Sequence, residues 1–230
     1  ILELDNAGVG TGTVIELGFA NSSTADFSGT VTLTETGSSS NEQVAIKVSK
    51  NTTASDYANE QTFSGQVTGT EALVKTGVGR LKLSDATNNF TNSGGTDVII
   101  NDGTLVAANA NALGGASNTI VVNKGKLELQ GDITLANTSV TAAGTDKSMV
   151  GGDGTLSNIT IGGDAGEFTA VSPGLGISSS LSSKSSDQQV TLGTGGNSDN
   201  AMGDLTITTL TLNKGGVYDW EIEDFRTSAS

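Results

Sequence analysis

Residues 97–129 read DVIINDGTLVAANANALGGASNTIVVNKGKLEL and state one phrase twice. Val98-Ile99-Ile100-Asn101-Asp102-Gly103-Thr104-Leu105 is followed 22 positions later by Ile120-Val121-Val122-Asn123-Lys124-Gly125-Lys126-Leu127. Upstream, LVKTGVGRLKL (73–83) obeys the same grammar, so Gly79, Gly103 and Gly125 fall in equivalent places, 24 and 22 positions apart. Looser echoes occur in GGDGTLSNITIGG (151–163) and LTITTLTLNKGGVYDWEI (205–222). A period of this size belongs to chains that wind repeatedly rather than fold once around a centre.

The apolar bursts are short and often alternate, as in Thr30-Val31-Thr32-Leu33-Thr34 and Leu205-Thr206-Ile207-Thr208. Period-two alternation marks strands with one buried and one wet face. The Asn-Asp-Gly and Asn-Lys-Gly groups between them supply turns, because Asn and Gly tolerate positive φ. No segment carries a sustained helical face: DYANEQTF (56–63) lacks one, and NANALGG (109–115) is long enough for a single turn. Two all-β architectures fit. The spacing favours a right-handed parallel β-helix of roughly 20–25 residues per coil, in which Leu81, Leu105 and Leu127 form one ladder and Ile100 and Val122 another. A β-sandwich, built from hairpins at shorter spacing, is the alternative.

Composition agrees with a thin core. Aromatic residues make up 4% of the 230 residues, against 32 glycines and one proline. Aliphatic side chains and alanine must therefore fill the interior. The net charge of -14, with 11 basic residues scattered along the chain, argues against nucleic acid as a partner. The acidity reads as solubility, with a divalent-cation surface as the sharper alternative. Neither cysteine nor histidine is present, so disulfides, thiol chemistry and imidazole-assisted nucleophiles are excluded. No apolar run approaches the length of a transmembrane helix, so no membrane insertion by a helix of this chain is expected. The opening ILELDN reads as a strand already under way, as in a fragment of a longer, processed chain.

The stretch 75–114 is similar to the autotransporter-associated β-strand repeat of bacterial passenger domains. Lys75, Gly77, Gly79, Leu81 and Leu83 match the first part of that repeat. Asn89, Phe90, Thr91, Gly94, Gly95 and Thr96 match the second, with an Asn-Ser insertion before the glycines. Gly103, Thr104, Leu105, Leu113 and Gly114 match the last. VSPGLGISS (171–179) resembles a second element of the same proteins, although Gly176 and Ile177 depart from its spacing. The resemblance implies a right-handed β-helical passenger, exported to the outer surface of a Gram-negative bacterium or released from it.

On this reading residues 1–70 form divergent coils with loop insertions, including the polar stretch 36–61 around one strand. Residues 71–176 form the repeat-bearing β-helix, 177–200 a Ser/Gly-rich loop, and 201–230 the C-terminal coils and tail. Asp219, Glu221, Glu223 and Asp224 make the densest acidic group, with Asp219, Glu221 and Glu223 on one face of a strand beside Trp220. Such a row could serve a sugar or cation, but reads first as a solvated face of a final coil. Ser-Lys chemistry is conceivable from Ser182, Ser183 and Lys184, but they lie in a featureless serine run, which reads against it. GGDGTL (151–156) and GGDAGEF (162–168) resemble calcium turns, yet two unequal copies do not make a calcium roll, and they read as ordinary turns. No catalytic, cofactor-binding or metal-binding residue is assigned.

The expected function is thus a non-catalytic surface or secreted module, a structural rod or adhesin. Its expected partners are a host or cell-surface glycan or protein, or further copies of itself joined end to end. Two alternatives stay open: a self-assembling extracellular fibre subunit, and a polysaccharide-active β-helix enzyme.

Overall fold

In a computed structural model the described residues are 2–5, 13–17, 24–34, 43–48, 60–92, 95–136, 139–142, 148–162, 169–173 and 205–218. They form strands and turns without a helix. In chain order the strands are β1 (Leu2–Asp5), β2 (Thr13–Leu17), β3 (Thr24–Phe27), β4 (Val31–Thr34), β5 (Gln43–Val48), β6 (Glu60–Phe63), β7 (Val67–Gly69), β8 (Ala72–Thr76), β9 (Arg80–Leu83) and β10 (Asn89–Phe90). They continue with β11 (Val98–Ile100), β12 (Thr104–Ala107), β13 (Thr119–Val122), β14 (Gly125–Thr134), β15 (Ser139–Ala142), β16 (Ser148–Ile161), β17 (Thr169–Pro173), β18 (Leu205–Leu212) and β19 (Gly216–Tyr218).

Every strand pairing among the described residues is parallel. Sequence neighbours cannot be hairpins in such a sheet, so the β-sandwich alternative is set aside. Fifteen strands make one sheet and four, β1-β4-β7-β10, make a second. The large sheet curls because β16 pairs with β14 along its first half and with β15 along its second. This all-β, parallel, curled arrangement is that of a solenoid.

The anticipated ladders are present. Leu81 registers with Leu105, and Leu105 with Leu127. Val150 and Val171 extend that row. Ile100 registers with Val122, in a row that also holds Ile46, Ala142 and Ile161. All of these side chains are buried, and they belong to one continuous apolar core. Burying each Leu, Ile or Val of these rows contributes roughly 1.5–3 kcal/mol. The small sheet closes the remaining side, with Val31, Leu33, Val67 and Phe90 inside. Next to Phe90 come Ala112 and Leu113, in the tight turns of 109–115, where Ala112 N donates to Asn109 O and Gly114 N to Asn111 O. Phe27 and Phe63 meet edge to face at 6.0 Å, a rare aromatic contact in an aliphatic core.

The strands depart from expectation in two ways. Short strands do not describe β14 and β16, which run for 10 and 14 residues. Both bend instead of stopping: β14 carries a register break between Leu129 and Ile133, with Gly131 and Asp132 at positive φ. GGDGTL is accordingly the bend inside β16 rather than a turn between strands. The spacing between registered strands is also uneven. It is 22 from Leu105 to Leu127 but 36 from Val31 to Val67 and 51 from Ile159 to Leu210. Parallel stacking fixes which residues lie over one another, and leaves the connecting loops free in length.

Gly103 and Gly125 show why the repeated phrase needs glycine at its corner. Gly103 has φ +68°, and a Cβ there would collide with the carbonyl oxygens of Gly77 and Gly79. Gly125 has φ +95°, and a Cβ there would strike the carbonyl of Gly103. Successive corners nest backbone upon backbone, so each demands both the left-handed conformation and the missing side chain.

Candidate functional site

Two polar clusters stand out. The first lies on the face of the sheet turned away from the core. Leu81 and Leu83 point inward from β9, so Arg80 and Lys82 point outward. Register sets Glu60, Arg80, Thr104 and Lys126 in one row and Lys82, Val106 and Glu128 in the next. Arg80 reaches over the short Thr104 and grips Glu128 with both terminal nitrogens, Nη2 to Oε1 at 2.6 Å and Nη1 to Oε2 at 3.1 Å. Its Nε donates to Glu60 Oε2 at 3.2 Å. Lys126 Nζ stands 3.1 Å from Glu128 Oε2.

The side chains of Glu128 and Lys126 are each 2% exposed. Burial alone would disfavour the Glu128 carboxylate, but Lys126 and Arg80 together hold its pKa below the ordinary value. Burial likewise opposes the Arg80 charge, and Glu128, then Glu60, hold the guanidinium pKa above its usual one. Attraction and hydrogen bonds therefore win over desolvation, as the forked geometry of the Arg–carboxylate pair requires.

The second cluster is inside. Lys75 occupies the row of Ile46 and Ile100 and has no exposed surface. Its Nζ donates to the carbonyl oxygens of Thr76 at 2.8 Å, Gly77 at 2.6 Å and Asp102 at 3.1 Å. Three acceptors match the three protons of an ammonium group. Burial nevertheless pushes the pKa down to about 7, only partly offset by the Asp102 carboxylate. The side chain thereby ties the corner after β8 to the corner after β11.

Buried polar groups elsewhere also join windings. Asp97 accepts from Asn92 N (2.7 Å) and Thr91 Oγ1 (3.0 Å) with one oxygen, and from Thr119 N (2.7 Å) and Thr119 Oγ1 (3.2 Å) with the other. Asn88 accepts from Val67 N at 2.7 Å and donates to Ala112 O at 2.9 Å. Asn118 Nδ2 donates to Phe90 O and Leu113 O. These contacts span 21 to 28 positions, except for the local ones to Thr91, Asn92 and Leu113. Their chemistry is that of cross-braces: each side chain satisfies backbone groups that neighbouring strands leave open.

The acidic row Asp219, Glu221, Glu223 and Asp224 lies outside the described residues, as do Ser182, Ser183, Lys184, the stretch 177–200 and residues 163–168 of the second glycine-aspartate phrase. In the first such phrase Asp153 Oδ1 accepts from Gly131 N at 3.1 Å, bracing the bend of β14. Among the described residues no group of three His, Cys, Asp or Glu is placed to hold one metal ion. The Arg80–Glu128 pair was not anticipated, because the partners are 48 positions apart and charges of alternate strands meet only once register is known. Lys75 carried a clue: in ALVKT it shares a face with Leu73, the same face as Val98 and Ile100 in the next phrase. No protein-family model matches the chain, nor does any curated protein or solved structure.

Proposed function

We propose that the chain is a non-catalytic extracellular module: a right-handed parallel β-helix of roughly 20–25 residues per coil that serves as a structural rod or adhesive surface on a Gram-negative cell. The fold reading rests on the parallel register of Leu81, Leu105 and Leu127. The functional reading rests on how the polar side chains are employed. Glu128 is held between two cations, Lys75 faces three carbonyls and Asp97 serves four donors. A carboxylate or amine that works on a substrate must be free to exchange protons with it. These groups are instead engaged within the fold, which favours a scaffold. The resemblance of residues 75–114 to passenger repeats supports an exported setting.

The test pairs a binding array of glycans and surface proteins with a turnover assay on a polysaccharide panel. The scaffold reading expects binding without turnover, or neither. Sustained cleavage that is lost in Glu221→Gln or Glu223→Gln would replace it with the enzyme reading.

A further inference from the structure

The chain contains two Asp-Gly steps, Asp102-Gly103 and Asp153-Gly154. A glycine amide has no side chain beside it, so it is the backbone nitrogen best able to reach a preceding carboxyl group. The fold treats the two steps differently. At the corner after β11, Gly103 N donates to Asp102 Oδ1 at 2.9 Å, so this nitrogen is held against the carboxyl group of its own neighbour. The amides around it are bound to the preceding winding instead, Asn101 N to Lys75 O at 2.9 Å and Thr104 N to Gly79 O at 3.2 Å. The buried Lys75 Nζ donates at 3.1 Å to the backbone oxygen of Asp102, which belongs to the same peptide group as Gly103 N. Asp102 and Gly103 are both partly open to solvent. Asp153 lacks this arrangement: its Oδ1 accepts from Gly131 N at 3.1 Å, and Gly154 is buried inside β16 opposite Ile133.

We propose that Asp102-Gly103 is a site of spontaneous backbone modification, at which Asp102 converts to isoaspartate. The peptide nitrogen attacks as its amidate, whose negative charge rests mainly on the Asp102 backbone oxygen. Lys75 Nζ is placed to stabilise that charge, as a charged donor does at a developing oxyanion. Gly103 N forms a bond to Asp102 Cγ. The amide proton and the hydroxyl of the protonated carboxyl group leave as one water, which closes a five-membered imide. A water then adds to the backbone carbonyl carbon of Asp102, whose bond to Gly103 N breaks. The chain now runs through Cγ, the former backbone carbonyl is a free carboxylate that returns its proton to solvent, and nothing is oxidised or reduced. Opening on this side is favoured because Lys75 polarises that same carbonyl, and the carboxylate released there gains a charge-assisted contact.

The test keeps the folded full chain for several weeks at body temperature in mildly acidic buffer, where Lys75 carries its proton. Proteolysis and electron-transfer mass spectrometry then map isoaspartate along the chain. It should accumulate at position 102 at least about tenfold faster than at 153, and in Lys75→Met the rate at 102 should fall by about tenfold. Circular dichroism checks that the variant is folded. Wild-type chain in concentrated urea gives a second measurement that does not depend on the variant. There the two steps should convert at like rates, since each reads Asp-Gly-Thr once the fold is gone. No isoaspartate at 102 in the folded chain, equal rates at 102 and 153 there, or an unchanged rate in folded Lys75→Met would overturn the proposal.

Discussion

Arg80 and Glu128 clasp one another across a strand that separates them, with Thr104 lying beneath the bridge. The clasp reads out register over three strands at once, because a slip of one position would send either partner to the opposite face. Glu128→Gln should cost about 3 kcal/mol, since it removes the buried carboxylate that Arg80 grips with both terminal nitrogens and that Lys126 faces, and leaves Arg80 with Glu60. Denaturant unfolding of the variant measures it. A loss below 1 kcal/mol would mean that the cluster is hydrated and weak.

The same carboxylate predicts acid sensitivity. Its folded pKa lies below the unfolded value, near 4.5, so its stabilisation is complete above that value and disappears as pH falls through the lower folded one. The stability difference between wild type and Glu128→Gln should therefore shrink as pH falls below about 4.5. Urea titrations of the two proteins at matched pH check this. A constant difference would contradict it.

Lys75 predicts the opposite limb. Its folded pKa of about 7 is below the unfolded value of 10.5, so between them the unfolded chain binds more protons and stability rises with pH. Below pH 7 the cost of the buried ammonium is fully present. Lys75→Met keeps the length and removes the titration, so wild type should gain stability relative to the variant from pH 6 to pH 9. Parallel curves would show that the three carbonyls hold the ammonium charged throughout.

Gly103→Ala tests the nested corners. The new methyl would meet two carbonyl oxygens and lie 2.8 Å from Lys75 Nζ, on a backbone at φ +68°. The expected loss exceeds about 1 kcal/mol and should reach several, because backbone rather than a flexible side chain must move. Thermal unfolding measures it. Gly131→Ala, at φ +95° but with open space around it, should cost less.

Much of the architecture was legible in the residues, and the reason is specific. The phrases around Gly79, Gly103 and Gly125 recur at almost constant spacing, and stacking converts spacing directly into contact, as Leu81, Leu105 and Leu127 show. The bends of β14 and β16 were hidden because glycine signals a turn and a bent strand alike, as at Gly152 and Gly154. The polar braces were hidden for another reason. Asp97 and Thr119 carry no local pattern, and only the fold places them 2.7 Å apart. Arg80 and Glu128 required knowing that Thr104, not a longer residue, lies between them.

The central claim is that successive windings run in one direction with like aliphatics superposed. Nuclear Overhauser contacts in a methyl-labelled, otherwise deuterated sample, complemented by an α-proton spectrum, test it most directly. Methyl contacts linking Leu81 to Leu105 and Leu105 to Leu127, without close α-proton pairs between facing strands, are the expected result. Strong cross-strand α-proton contacts, with the Leu105 and Leu127 methyls mutually silent, would mean antiparallel hairpins and would contradict the account.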